Sequence, residues 1–271
     1  AAQYSVVVAN NNDYEVAVKV TKNGGRVGQP LNEQIVTTVA VPAKTAKRVD
    51  LPQRELDGSM GQNGVYKADN ATHTFVSPHA YHLVTTGPVV AYQFNPIIQQ
   101  YSNDASTLIP VQALGTNYFV MGYQTANPCS IDLGGGPTIK GVPDHGAIAI
   151  VPIEDNSHVT VTATHPIVKS GGDSGLVIPN TPANTPLMLT LNRFDVANLE
   201  TDQPTNVGAF ECASQAMTRN GDFTGTQIIS DKKVLVFSSL ELGLGLGGAT
   251  PAPTPSPNWT SQDGMCCTDH L

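Results

Sequence analysis

Apolar and polar residues alternate along much of this chain at the period of two that a β-strand imposes. Tyr4 to Ala9 is a short apolar run, closed by Asn10-Asn-Asn-Asp13. From Tyr14 to Thr21, Val16, Val18 and Val20 fall on one face and Glu15, Ala17 and Lys19 on the other. Asn23-Gly-Gly25 is a turn, Ile35 to Val41 alternates again, and Pro42 to Lys44 turns the chain into a strand over Lys47 to Leu51. After a polar loop from Pro52 to Thr72, His82 to Thr85 and Val89 to Asn95 are predicted to pair around Gly87-Pro88.

The second half repeats this order. Ala147 to Pro152 is an apolar run, and Glu154-Asp-Asn-Ser157 punctuates it. Val159, Val161 and Ala163 then alternate with Thr160, Thr162 and Thr164. Strands over Leu187 to Leu191 and Val196 to Leu199 follow, and Gln227 to Ser230 is expected to pair with Val234 to Ser238 around Asp231-Lys-Lys233. Val6 matches Ala147, Val39 matches Met188 and Thr86 matches Ser230 at near-constant spacing, so the chain reads as an internal repeat. The expected fold is all-β, with two tandem antiparallel sandwich-like units; a β-propeller arrangement is the alternative. The units are placed at 1–100 and 101–242. Residues 243–271 form a Gly/Pro-rich loop and a cysteine-containing tail. Val111 to Leu114 is the one short helical candidate.

Composition narrows the function. Charged residues make up 13%, about half the share usual in soluble domains. Gly, Pro, Thr, Asn and Ser are frequent, as in short strands joined by many turns. The net charge of −8 repels phosphate backbones, so no nucleic-acid partner is expected. No apolar stretch is long enough to span a membrane as a helix. Ala1-Ala2-Gln3 is compatible with a start just after a cleaved leader. Asn70-Ala-Thr72 and Asn258-Trp-Thr260 are glycosylation triplets, which arise often by chance. In an exported chain the four cysteines, Cys129, Cys212, Cys266 and Cys267, are expected in disulfides; their pairing stays open.

Candidate chemistry is sparse. Gly172-Asp-Ser-Gly175 resembles a serine-protease nucleophile motif, and Thr162-Ala-Thr-His165 resembles the histidine motif. A protease of that type draws His, Asp and Ser from distant loops. Here His165 and Ser174 are close in sequence and Leu176 stands where a further Gly is usual, so a turn is expected. His73, His79 and His82 cluster, but positions three apart on a strand face opposite sides, so a metal site is not expected. His145 belongs to a turn, and His270 beside Asp269 has too few partners for zinc. Asp57-Gly-Ser-Met-Gly61 and Asp202 lack the alternating carboxylates of a calcium loop. Gly134-Gly-Gly136 lacks the Lys-Ser/Thr of a phosphate loop. No catalytic residue, cofactor or metal is assigned.

Several segments together resemble the IgGFc-binding protein N-terminal family, including its bacterial surface-protein members. They are Gly87-Pro-Val-Val-Ala-Tyr-Gln-Phe-Asn-Pro96, Ser102-Asn-Asp-Ala-Ser-Thr-Leu-Ile-Pro110 and Ala113-Leu-Gly-Thr-Asn-Tyr118. Later come Ile153-Glu-Asp-Asn156, Leu191-Asn-Arg-Phe-Asp195, Ser230-Asp-Lys-Lys-Val-Leu-Val-Phe237 and Cys267-Thr-Asp-His-Leu271. Gly243 to Pro257 looks like an insertion against the family pattern. The resemblance implies an extracellular β-rich region of a larger adhesive or mucus-type protein, without catalytic residues. It also implies that Leu108 to Tyr123 opens the second unit, that the first unit lacks its opening strand, and that the chain is a piece of a longer protein. The expected function is an extracellular or cell-surface adhesion or recognition module for a glycoprotein, glycan or protein. Its contacts would come from loops such as Pro52 to Thr72 and Asn198 to Gly221. A structural subunit of a surface layer or filament, built from neighbouring copies, is the alternative; a hydrolase is the third.

Overall fold

The computed structural model describes residues 4–65, 74–95, 104–122, 125, 145–202 and 221–240. Within them the chain is all-β: the named strands all pair antiparallel, and the helical candidate is a single 3-10 turn at Val111–Ala113. The first half contributes β1 (Ser5–Asn10), β2 (Val16–Asn23), β3 (Glu33–Val41), β4 (Thr45–Asp50), β5 (Phe75–Ser77), β6 (Tyr81–Thr85), β7 (Val90–Asn95) and β8 (Asp104–Thr107). The second contributes β9 (Gly115–Phe119), β10 (Gly146–Pro152), β11 (Ser157–Thr162), β12 (Pro186–Leu191), β13 (Val196–Glu200) and β14 (Gln227–Leu240).

Two sheets of the first half, ordered β4-β1-β7-β8 and β3-β2-β6, enclose a core of Val6, Val8, Val18, Val20, Val41, Val49 and Leu51. These are the apolar positions of the alternating pattern. Burying each such side chain contributes on the order of 1.5–3 kcal/mol. In the second half, strands ordered β12-β11-β14-β10-β13 curl around a separate core that includes Ile148, Ile150, Val159, Val161, Leu199 and Ile228.

The two halves pair their strands in the same way. β1 lies between β4 and β7, as β10 lies between β13 and β14. β2 lies between β3 and β6, as β11 lies between β12 and the start of β14. Ladder registers correct the residue equivalences by one position. Val6, not matched to Ala147, takes the core-facing place of Ile148; Val39 takes that of Leu189 rather than Met188; and Thr85 rather than Thr86 takes that of Ser230. A slip of one residue changes the face of every side chain, and Met188 is indeed 80% exposed.

Two expected hairpins are also corrected. Gln227 to Ser230 and Val234 to Ser238 do not pair with each other; they are one strand, β14, which serves β11 at its start and β10 at its end. Asp231-Lys-Lys233 stays extended inside that strand, so nothing there reverses the chain. Likewise β6 joins β2 and β7 joins β1, so Gly87-Pro88 carries the chain from one sheet to the other.

β5 leaves the first half to pair with β13. Beyond β5, the Gly172-Asp-Ser-Gly175 loop completes its edge. Gly171 N donates to Thr74 O at 3.2 Å and Gly175 N donates to Val76 O at 2.8 Å. A Cβ on Gly175 would come within 2.3 Å of the Val27 Cβ, so the motif's second glycine permits this approach.

Candidate interunit cleft

The strand β10 explains where the site lies. Its run Ala147 to Pro152 is apolar without interruption because both faces are covered. Ile148 and Ile150 face the core, while Ala147, Ala149 and Val151 face the first half of the chain. Register places Asn198 and Glu200 of β13, and Phe237 and Ser239 of β14, beside them on that second face. Opposite stand Tyr4, Gln53 to Asp57, His79 to Tyr81 and Leu83. Between them is a partly open cleft of about 340 Å³.

The cleft has an apolar floor and a polar margin, the usual make-up of a binding pocket. Tyr4 and Tyr81 stack with ring centroids 6.0 Å apart, and the Arg54 guanidinium lies 5.7 Å from the centre of the Tyr81 ring. Tyr4 donates to Gln93 Oε1 at 3.0 Å, and Tyr81 donates to the Pro52 carbonyl. Burial pushes the Tyr81 phenol up to about 12, against the nearby Arg54 charge, and burial also raises that of Tyr4. Arg54 Nη2 donates to Asn23 O at 3.1 Å, while Nη1 is buried with no partner among the described residues. Burial lowers the pKa of this guanidinium.

Carboxylates outnumber the cation. Among the described residues, Glu55, Asp57 and Glu200 line the cleft against the single cation Arg54. Burial, and then the negative charge of Asp57, raises the Glu55 pKa, opposed by a hydrogen bond from Gln53. Glu200 accepts from Asn198 Nδ2 at 2.9 Å. His79 Nδ1 lies 2.6 Å from the Glu55 carbonyl oxygen. A carbonyl only accepts, so Nδ1 carries the proton. Burial holds the His79 pKa down at about 4, against the pull of the Glu55, Gln62 and Gly61 carbonyls, so the ring is neutral at physiological pH.

The other candidates are dispersed. Ser174 Oγ donates to Leu176 O at 2.7 Å and accepts from Val76 N at 2.9 Å. His165 Nδ1 instead meets the Pro166 carbonyl at 3.2 Å, and its ring stands edge-on to Phe223. The protease-like serine is therefore a backbone clamp. His82 projects from β6 with its ring edge-on to Phe194, away from the His79 environment. His145 is buried just before β10 with Nδ1 2.6 Å from Thr201 O. Asp57 Oδ1 accepts from both Ser59 N and Ser59 Oγ, an Asx turn, and the Asp202 backbone N donates to Pro166 O.

Of the two expected recognition loops, the start of the first, Gln53 to Asp57, forms one wall of the cleft. The second begins later than expected, because Asn198 to Glu200 belong to β13. Cys129, Cys212, Cys266, Cys267, His73, His270, Asp269, Asn70, Asn258, Gly134 to Gly136 and the tail from Gly243 lie outside the described residues. Arg54 and Glu200 lie within the two expected recognition loops but were not singled out there, and Tyr81 was missed. The available signal was the unbroken apolar run of β10, which marks a sheet covered twice.

The chain matches the family described as IgGFc binding protein over residues 104–252, more than half of its length. That stretch contains the strands β8 to β14. No curated protein and no solved structure matches the chain.

Proposed function

The chain belongs to the IgGFc-binding protein family, and from that premise we propose that it is an extracellular, non-catalytic recognition module for a protein partner, which inserts a basic side chain into the interunit cleft. Membership of a family of binding domains supports the binding role. The acidic cleft is the observation that carries the site. A lysine or arginine has an apolar stem and a cationic head. The floor of Ala149, Val151, Leu235 and Phe237 suits the stem, and Glu55, Asp57 and Glu200 suit the head. The chain's net charge of −8 would steer such a partner toward it. A non-catalytic role is supported by the use of Ser174 Oγ as a backbone clamp.

Purified immunoglobulin Fc, the ligand in the family's name, and an array of lysine- and arginine-containing peptides are the probes. Binding is expected to weaken with rising salt, because charge steering is screened. Glu55→Gln with Asp57→Asn is expected to weaken it at least about tenfold, as loss of a desolvated charge contact does. Binding to neither probe class, or binding indifferent to both salt and the double substitution, would overturn the reading.

A further inference from the structure

The repeat places one face of the molecule in two settings. On the second half, the face of β13, β10 and β14 turned away from the core is covered by the first half. Ala149 and Asn198 there are each 5% exposed, and Glu200 is 3% exposed. The ladders identify the same face on the first half: Val7 occupies the place of Ala149, Tyr92 that of Phe237, Val90 that of Leu235 and Asp50 that of Glu200. The chemistry is kept along with the geometry. An aromatic stands for an aromatic, an aliphatic for an aliphatic and an acid for an acid. Each acid also takes a hydrogen bond from the residue two places before it, Glu200 from Asn198 and Asp50 from Arg48.

The settings differ in cover. On the first half this face is open, with Val90 and Tyr92 each 38% exposed and Ala46, Arg48 and Asp50 exposed. The edge differs in the same way. The outer edge of β13 is filled by β5, whereas the corresponding edge of β4 carries no strand among the described residues. An apolar patch rimmed by charge, beside an unpaired strand edge, is a site for another chain.

We infer that the β4-β1-β7-β8 face, with the outer edge of β4, is a docking surface for the second half of another copy of this chain. The occupant follows from continuity with the internal interface. Within the chain, the equivalent face of the second half receives the strand set that precedes it, and the second half has the same strand pairing as the first. Such a contact joins different surfaces on the two partners, so it propagates head to tail rather than closing into a symmetric dimer. It uses a surface separate from the interunit cleft, and neither proposal depends on the other.

Sedimentation velocity over a concentration series tests this. The wild-type chain is expected to give species that grow past a dimer as concentration rises. Tyr92→Arg and Val90→Asp, each at an exposed position and checked for fold by circular dichroism, are expected to remain monomeric alone, with association at least about tenfold weaker. Either variant mixed with wild type is expected to join the ends of wild-type series, because its second half is intact. Ile229→Asp, on a different exposed strand face, is expected to assemble as wild type does. Any of four outcomes would overturn the inference: a wild-type monomer at every concentration; a wild-type dimer that grows no further; Tyr92→Arg or Val90→Asp assembling normally or failing to join wild type; or Ile229→Asp abolishing assembly.

Discussion

Ser174→Ala separates a structural serine from a catalytic one. The hydroxyl accepts from Val76 N at 2.9 Å and donates to Leu176 O at 2.7 Å. Val76 is fully buried on β5, the strand that ties the first half to β13. Alanine cannot accept, so the Val76 amide loses its partner. Leaving such a donor unsatisfied costs about 1–3 kcal/mol. The Leu176 carbonyl also loses one donor, from Ser174, but Ser170 Oγ still approaches it at 3.3 Å, so that loss adds little. The expected change is a fall of about 1–3 kcal/mol in unfolding free energy, read in urea as a lower midpoint at unchanged slope. Amide exchange at Val76 should quicken as well. An unchanged midpoint and unchanged Val76 protection would refute the reasoning. So would a hydrolytic activity in the wild type that Ser174→Ala removes while stability holds.

Two buried titrating groups give pH dependences of opposite sign. The unfolded His79 imidazole gains its proton near 6.5 and the folded one only near about 4. Stability from this group is therefore whole above pH 6.5 and drains as pH falls toward about 4; His79→Gln should flatten that limb in a urea series. Burial pushes the Asp195 carboxyl up to about 6 from 3.8, against the Asn192 amide that donates to it. Its contribution is whole below pH 3.8 and is lost as pH rises to about 6. Asp195→Asn keeps an acceptor for that amide and should raise stability at neutral pH by on the order of 1–3 kcal/mol, with the two proteins converging below pH 4; a constant difference at all pH values would contradict it.

The alternation of apolar and polar residues made most strands of the first half legible, because β1, β2 and β3 each have one face toward the core and one turned outward; β5, buried on every residue, carries no such pattern and was not legible. The same alternation could not fix register across the repeat. Val6 and Ala147 both sit in apolar runs, and only the ladder shows that one faces a core and the other a cleft. The long strand β14 was hidden because Asp231-Lys-Lys233 is polar and reads as a turn, yet these residues stay extended between the β11-pairing start and the β10-pairing end of the strand. The cleft was the least legible feature. Arg54 and Tyr81 lie far from Glu200 in sequence, and only the packing of one half on the other joins them. Asn198 and Glu200 read as loop residues because polar side chains on a strand buried throughout run against the usual pattern.

The claim that this chain recognises a partner through the interunit cleft is tested most directly by hydrogen exchange with and without a saturating bound probe, Fc or the best basic peptide. Slowed exchange over Gln53 to Asp57 and at Ala80 and Tyr81, with the exposed face of β11 and β12 unchanged, is the predicted result. Protection confined to that exposed face, or none anywhere despite saturation, would contradict the account.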